Sequence, residues 1–273
     1  IKLGKTDKVG IMLSGGLDSS VVASSLRSIG VKEITSLSIT YEHIDEENID
    51  KIDESFYQDL INKSLGLKQI KITSREINHF LLAKDNLDLF GEPVLFPNFY
   101  IFDLIYQKAN EIGLKKVFDG HDGDTVISHG FEYLKELFFK FKWISLLKVI
   151  KEFADLKNKT FLHSLKRFTV LGIKDLIRFQ KKGRRITKAK NQYTYIPFFS
   201  EHHIKVTHPY IGIANEQGYA VSKKHKIKRR SPFFTEELVD LCLALPSELK
   251  FGSGINREIL RHAFSNDLPN QIT

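Results

Sequence analysis

The string at residues 8–30, "KVGIMLSGGLDSSVVASSLRSIG", constrains this chain more than any other. A short apolar run, 8–13, ends in Ser-Gly-Gly. It is followed at once by 17–30, where Leu17, Val21, Val22 and Leu26 recur at helical spacing and Gly30 closes the stretch. The first reads as a buried strand and the second as a helix. The pattern then repeats. "EITSLSIT" (33–40) alternates as a strand, 53–66 is a helix closed by Gly66, and "LKQIKIT" (67–73) is a third strand. A further helix over 98–113 stops at Gly113, and "KKVFDG" (115–120) is a fourth strand. Strands alternating with helices require right-handed crossovers, and so an α/β fold: a parallel twisted sheet with helices on both faces. Beyond about residue 130 the strands are expected to stop. Helical stretches rich in Phe, Leu and Lys take over, among them 235–246 and 256–264. The predicted organisation is an α/β core over 1–130 and a mainly helical part over 131–273 that completes the same domain.

The turn between the first strand and helix has the makings of an anion site. The first N–H groups of a helix lack partners inside it, and the helix dipole is positive there. Gly15 and Gly16 let the backbone approach a phosphate, and Ser14 and Ser19 add hydroxyl donors. Asp18 would repel a bare phosphate. It makes sense where a divalent cation bridges it to the phosphates, which points to a nucleotide polyphosphate with Mg²⁺. The loop is not a Walker-type P-loop, because no Lys-Ser/Thr follows the glycines. Its glycine spacing also differs from the dinucleotide-binding fingerprint.

Composition narrows the class further. The 273 residues, 42% hydrophobic, suffice for one large domain or two small ones. No apolar run approaches the ~20 residues of a membrane span, and neither a signal peptide nor a membrane partner is expected. Cys242, the one cysteine, excludes an internal disulfide framework and fits a reducing cytoplasm. It lies on the apolar stripe of a helix, where a buried structural thiol is expected. Met12 is the only methionine, so Ile1 is not expected to be a translation start. The net charge of +8 resides in two runs, 181–190 and 223–230, each with six basic residues and no acid. Without them the chain carries 29 basic and 33 acidic residues, a net of −4. Such runs suit a phosphate-bearing ligand, an acidic peptide or nucleic acid, or are solvated surface.

"SGGLDSS" resembles the pyrophosphate loop of the N-type ATP pyrophosphatases, and "VGIMLSGGLDSSVVAS" resembles more closely the synthetase domain of glutamine-dependent asparagine synthetases. The likeness extends to "DESFYQDLINKSLGL" (53–67), "KKVFDGHDGD" (115–124), "RSPFFTEELVDLCLALPSELK" (230–250) and "NREILRHAFSNDLPNQI" (256–272). It implies an adenine nucleotide alpha hydrolase-like fold. It also implies a ligase in which ATP activates a carboxylate as an acyl-adenylate, pyrophosphate leaves, and an amine or ammonia attacks. By that resemblance Ser14, Gly15, Gly16, Asp18 and Ser19 form the pyrophosphate loop, Leu13 borders the adenine, and Gly120 lies on the nucleotide-facing turn. Asp18 and Asp124 are the implied Mg²⁺ ligands.

The sequence also departs from the family pattern. His121 stands where asparagine synthetases usually carry an acidic residue; altered substrate or pKa tuning is one reading, and a loop histidine facing solvent is the preferred one. "TVISHGFEYLKEL" (125–137) replaces a Phe-Gly-Gly-type turn and is more similar to asparagine-synthetase-related amide synthetases of bacterial biosynthetic operons, including lasso-peptide cyclases. Lys228 takes the place of a glutamate two residues before Arg230. His121, Lys228 and Arg230 are therefore candidate substrate or phosphate contacts. His202-His203 lacks neighbouring ligands at metal spacing, so a surface or packed role is expected. The resemblance places the family's active-site lysine beyond Thr273 and a glutaminase domain outside this chain. The late acid-base residue and the ammonia source are thus left unassigned, and a separate glutaminase or peptide-binding partner is possible. Aspartate and a peptide carboxylate both remain open as substrate. A tRNA-modifying enzyme with the same loop and a non-catalytic homologue are the alternatives; Arg230–Phe233 and Leu268–Pro269 argue against the first, and Asp18 with Asp124 against the second.

Overall fold

The structure is a computed structural model that describes residues 8–41, 54–73, 79–95, 97–168 and 201–273. The basic run 181–190 lies outside these residues. The chain divides into two compact units. One comprises Ile1–Gly123, Thr207–Leu238 and Arg261–Thr273; the other comprises Asp124–Val206 and Val239–Leu260.

The first unit is built on five strands: β1 (Lys8–Met12), β2 (Glu33–Thr40), β3 (Lys68–Thr73), β4 (Lys116–Phe118) and β5 (Lys228–Arg230). They lie in the order β3-β2-β1-β4-β5, all parallel. Its helices include α1 (Leu17–Ser28), α2 (Ser55–Leu65), α3 (His79–Phe90) and α4 (Tyr100–Glu111). The side-chain period of two explains how both faces are covered. On one face of β2, Leu37 and Ile39 join Ile105, Tyr106 and Ala109 of α4 in an apolar core. On the other face, Ser36 donates to Asn62 of α2 at 2.5 Å. The buried Ser36 hydroxyl is thus satisfied by α2, and that of Ser38 by the Leu13 carbonyl, so neither costs stability as an unpaired polar group. Arg27, in the last turn of α1, donates to the carbonyls of Leu65 and Gly66 and so caps the end of α2.

One expectation is corrected here: strands do not stop near residue 130. β5 enters the sheet beside β4, with Val117 opposite Arg229 and Phe118 opposite Arg230. A run of three basic residues has no strand signature of its own. It becomes one by pairing with β4 and by burying Arg229 against Asp119. The helix leading into it is Pro209–Lys224, whose end is tied to α4: Lys224 Nζ and His225 Nε2 lie 3.0 Å and 2.8 Å from Asp103 Oδ1. Burial raises the Asp103 carboxyl, but the bonds from His225 and Lys224 outweigh it and hold it below the usual aspartate range. A carboxyl lowered in the folded state contributes stability that is present above the ordinary aspartate range and is lost as pH falls through the folded value. Asp103→Asn should therefore be destabilising at neutral pH and should flatten the acid side of the stability profile. Urea midpoints measured across acidic pH check this; parallel acid limbs would refute it.

The second unit is helical. It contains α5 (Gly123–Ile127, entering at Asp124), α6 (Glu132–Phe139), α7 (Trp143–Leu156) and α8 (Glu201–Val206). With α9 the Pro209–Lys224 helix of the first unit, α10 (Glu236–Ala244) and α11 (Glu248–Phe251) follow. Leu134 and Leu137 of α6, Leu146, Val149, Ile150 and Phe153 of α7, and Phe251 form its core. Cys242 of α10 is 1% exposed, a structural thiol whose burial pushes its pKa up.

Candidate functional site

β1 is the strand from which the connections diverge, with β2 on one side and β4 on the other. In open parallel sheets this switch point is where the loops part and leave a crevice at the carboxyl ends of the strands. Ser14-Gly15-Gly16 follows β1 at that point, and α1 begins at Leu17. The N-cap residue of α1 is Gly16, which has no side chain to cap the helix start.

The loop holds its own shape. Gly16 N–H donates to Ser14 Oγ at 3.2 Å, Ser19 Oγ donates to the Gly16 carbonyl at 3.2 Å, and the two serine hydroxyls are 3.1 Å apart. Gly15 has φ +92°, and an added Cβ would lie 2.9 Å from Tyr57 Cβ and 3.1 Å from Glu54 O. The room that Gly15 makes is therefore taken by the start of α2. Among the described residues an added Cβ on Gly16 would meet only Ser14 Oγ, at 3.4 Å, so the open side of the loop lies at Gly16. Leu13 is 1% exposed; its N–H donates to the Leu37 carbonyl and its own carbonyl accepts from Ser38 Oγ. The Leu13 side chain thus belongs to the core.

The loop after β4 packs directly on the start of α1. An added Cβ on Gly120 would lie 2.5 Å from Ser19 N, and one on Gly123 would lie 2.7 Å from Asp18 Cγ. Asp18, in the first turn of α1, is half-buried there. Gly120→Ala should wedge the two segments apart. We expect a loss of roughly 1–3 kcal/mol, the usual cost of overpacking, together with weakened nucleotide binding, checked by urea unfolding and by nucleotide titration of the same variant.

Asp119 organises the base of this loop. It is 3% exposed, accepts from the N–H of His121 at 3.1 Å, and receives Arg229 Nε at 2.7 Å and Ser231 Oγ at 3.1 Å. Arg229 is 7% exposed, also donates to the Asn215 carbonyl, and its guanidinium sits 5.5 Å from the centre of the Phe102 ring. Sequence reading missed Arg229 while naming both its neighbours. The signal was available: Ile227 lies two positions away, so it and Arg229 share a strand face, and Ile227 is 4% exposed. Lys228 and Arg230 fall on the opposite face, Lys228 exposed and Arg230 half-buried. His121 is not a solvent-facing loop residue. Its ring stands edge-on to Phe102 at 5.7 Å, and its Nε2 is 3.2 Å from Asp122 Oδ2.

In the second unit, Asp124 lies 3.6 Å from His129 Nε2. The bond from His129 holds its carboxyl below the usual range against burial, and the charges of His129 and Arg257 add to this. Asp124 is therefore ionised at neutral pH. His202 is packed, as expected, but into a network the sequence did not reveal. Its Nε2 contacts the carbonyls of Thr125 and Val126 at 3.1 Å and 2.8 Å. Carbonyls only accept, so Nε2 carries the proton and Nδ1 accepts from Lys250 Nζ at 3.1 Å. Lys250 is 2% exposed, and burial pushes both its pKa and that of His202 down. Ser128 Oγ closes the turn by donating to Glu132 at 2.6 Å.

A parallel sheet with a self-bonded glycine loop at its switch point defines an α/β nucleotide-hydrolase-like fold. The sequence profile described as asparagine synthase matches residues 2–273. The chain belongs to the asparagine synthase family, whose members are ATP-using amide ligases. No curated protein matches it.

Proposed function

We propose that this protein is an amide-bond synthetase that activates a carboxylate as its acyl-adenylate at the expense of ATP, releases pyrophosphate, and passes the acyl group to an amine or ammonia. The observation that carries this reading is the Ser14–Ser19 loop at the carboxyl end of the central strand, in a chain of this family. The N–H groups of the first turn of α1 and the hydroxyls of Ser14 and Ser19 would cradle the pyrophosphate. Gly16 would admit it, and Gly120 would keep the facing turn close.

Asp18 and Asp124 are hard oxygen donors, and Asp124 is held ionised, which suits Mg²⁺ shared with phosphate oxygens. A cation held by Asp18 would neutralise charge gathering on the leaving pyrophosphate. Lys228 and Arg230, on one strand face, are proposed contacts to phosphate or to an acidic substrate, with His121 beside the turn. A cytoplasmic location, where ATP is abundant, is proposed with this activity. A second reading, ring closure of a peptide carboxylate onto an amine, is favoured by the Ser128–Gly130 turn, where His129 reaches toward Asp124. The test is ATP–pyrophosphate exchange with Mg²⁺, with and without L-aspartate. Aspartate-dependent exchange supports asparagine synthesis. ATP binding without it moves the substrate to a peptide carboxylate, and no ATP binding refutes both.

A further inference from the structure

The turn joining α6 to α7 presents eight consecutive exposed residues, Phe138 to Ser145, with the sequence FFKFKWIS. Phe141 is 77% exposed, Ile144 87% and Trp143 43%. The rings of Phe138 and Trp143 meet edge to face at 4.8 Å, which makes a cohesive apolar tip rather than scattered side chains. No acidic residue occurs from Leu137 to Lys151, while lysines stand at 140, 142, 148 and 151; of these, Lys140 and Lys148 pair with the flanking Glu136 and Glu152 at 3.2 Å and 3.9 Å.

The backbone here makes the choice of residue informative. Lys142 N–H donates to the Leu137 carbonyl and Phe141 N–H to the Phe138 carbonyl, the paired bonds of a Schellman helix end. Phe141 occupies the left-handed position of that motif, at φ +56°. Glycine fits this position without strain, and a bulky aromatic does not. The ring recovers little by burial, since most of it faces water. A strained aromatic that adds little to the described fold points to a role other than packing.

We propose that this tip docks on an anionic lipid surface, with Phe141, Trp143 and Ile144 entering the interface and the lysines meeting the head groups. Aromatic residues interleaved with Lys140 and Lys142 match the chemistry of such a surface, and the exposed Glu136–Lys140 and Lys148–Glu152 pairs are weak enough to yield to head groups. No described helix is long and apolar enough to cross a membrane, and surface docking needs none.

The chain's only tryptophan is Trp143, so its emission reports the tip directly. Full-length protein is titrated with vesicles of phosphatidylcholine, with or without phosphatidylglycerol, and binding is also read by flotation. The expected result is a blue shift and flotation with the anionic vesicles only, weakened about fivefold in Lys142→Gln and by added salt. Phe141→Gly should raise the thermal midpoint while lowering vesicle affinity at least about tenfold. Equal response to both vesicle types, unchanged binding of Phe141→Gly, or a lowered midpoint in that variant would each overturn the proposal. So would a concentration-dependent dimer abolished by Phe141→Gly, which would assign the tip to a second copy of the chain.

Discussion

Asp18→Ala should reduce ATP–pyrophosphate exchange by about a thousandfold or more while leaving the protein folded. The two effects separate because Asp18 makes different contributions to each. In the first turn of α1 its carboxylate complements the helix dipole, worth about 0.3–1 kcal/mol of stability. Its proposed catalytic contribution is larger, because the charge it anchors acts only as the pyrophosphate departs. The carbon of that carboxylate abuts the chain at Gly123, so the side chain is held where it stands rather than free to be replaced by a neighbour. Asp18→Asn keeps the shape and loses the charge, and should behave like the alanine variant in exchange. Exchange rates and thermal unfolding of the same preparations decide the matter. A variant that keeps exchange within tenfold of the parent would remove Asp18 from the proposed metal site.

Arg229→Met should lower stability by about 3–5 kcal/mol, the cost of leaving one member of a buried ion pair alone. Asp119 would keep Ser231 and the His121 N–H but lose the guanidinium 2.7 Å away, in a site where it is 3% exposed. Arg229→Lys should recover only part of the loss. An ammonium cannot reach Asp119 and the Asn215 carbonyl together, nor lie flat near Phe102. The measurement is the urea midpoint. Activity should fall as well, since Asp119 shapes the turn that carries Gly120. An unmoved midpoint in Arg229→Met would show the pair to be energetically neutral.

The parts of the fold that were legible in the sequence are those fixed by local pattern. β1 and α1 could be read because an apolar run meets two glycines and then a helical stripe. β2 could be read from its alternation, and α4 from its spacing before Gly113. β5 could not, because its strand character is supplied by β4 and by Asp119, residues far away in the chain. The helix before it was also obscured, since Gly212 and Gly218 weaken a helical pattern. The structure gives Gly218 its reason: an added Cβ would collide with the Arg229 guanidinium. At the candidate site the Ser14–Ser19 loop was legible as a glycine turn between a strand and a helix, down to its serines and its acid. The work done by each glycine was not, because the segment that fills the space at Gly15 lies more than thirty residues away. His121 and His202 were ambiguous for the same reason, and Lys250 drew no notice. A histidine's role is set by the acceptors around it, and those come from other elements.

The order of the strands has a consequence for how the molecule is made. β4 emerges from the ribosome more than a hundred residues before its neighbour β5, and the first unit also recruits Arg261–Thr273. At roughly 5–20 residues per second, the nascent chain spends many seconds with β4, an interior strand of the finished sheet, lying at its edge. An open edge is a template for pairing with another chain. In the interval between the synthesis of Phe118 and of Lys228, β4 is therefore open to pairing with the wrong strand, and a chaperone that shields sheet edges would act there.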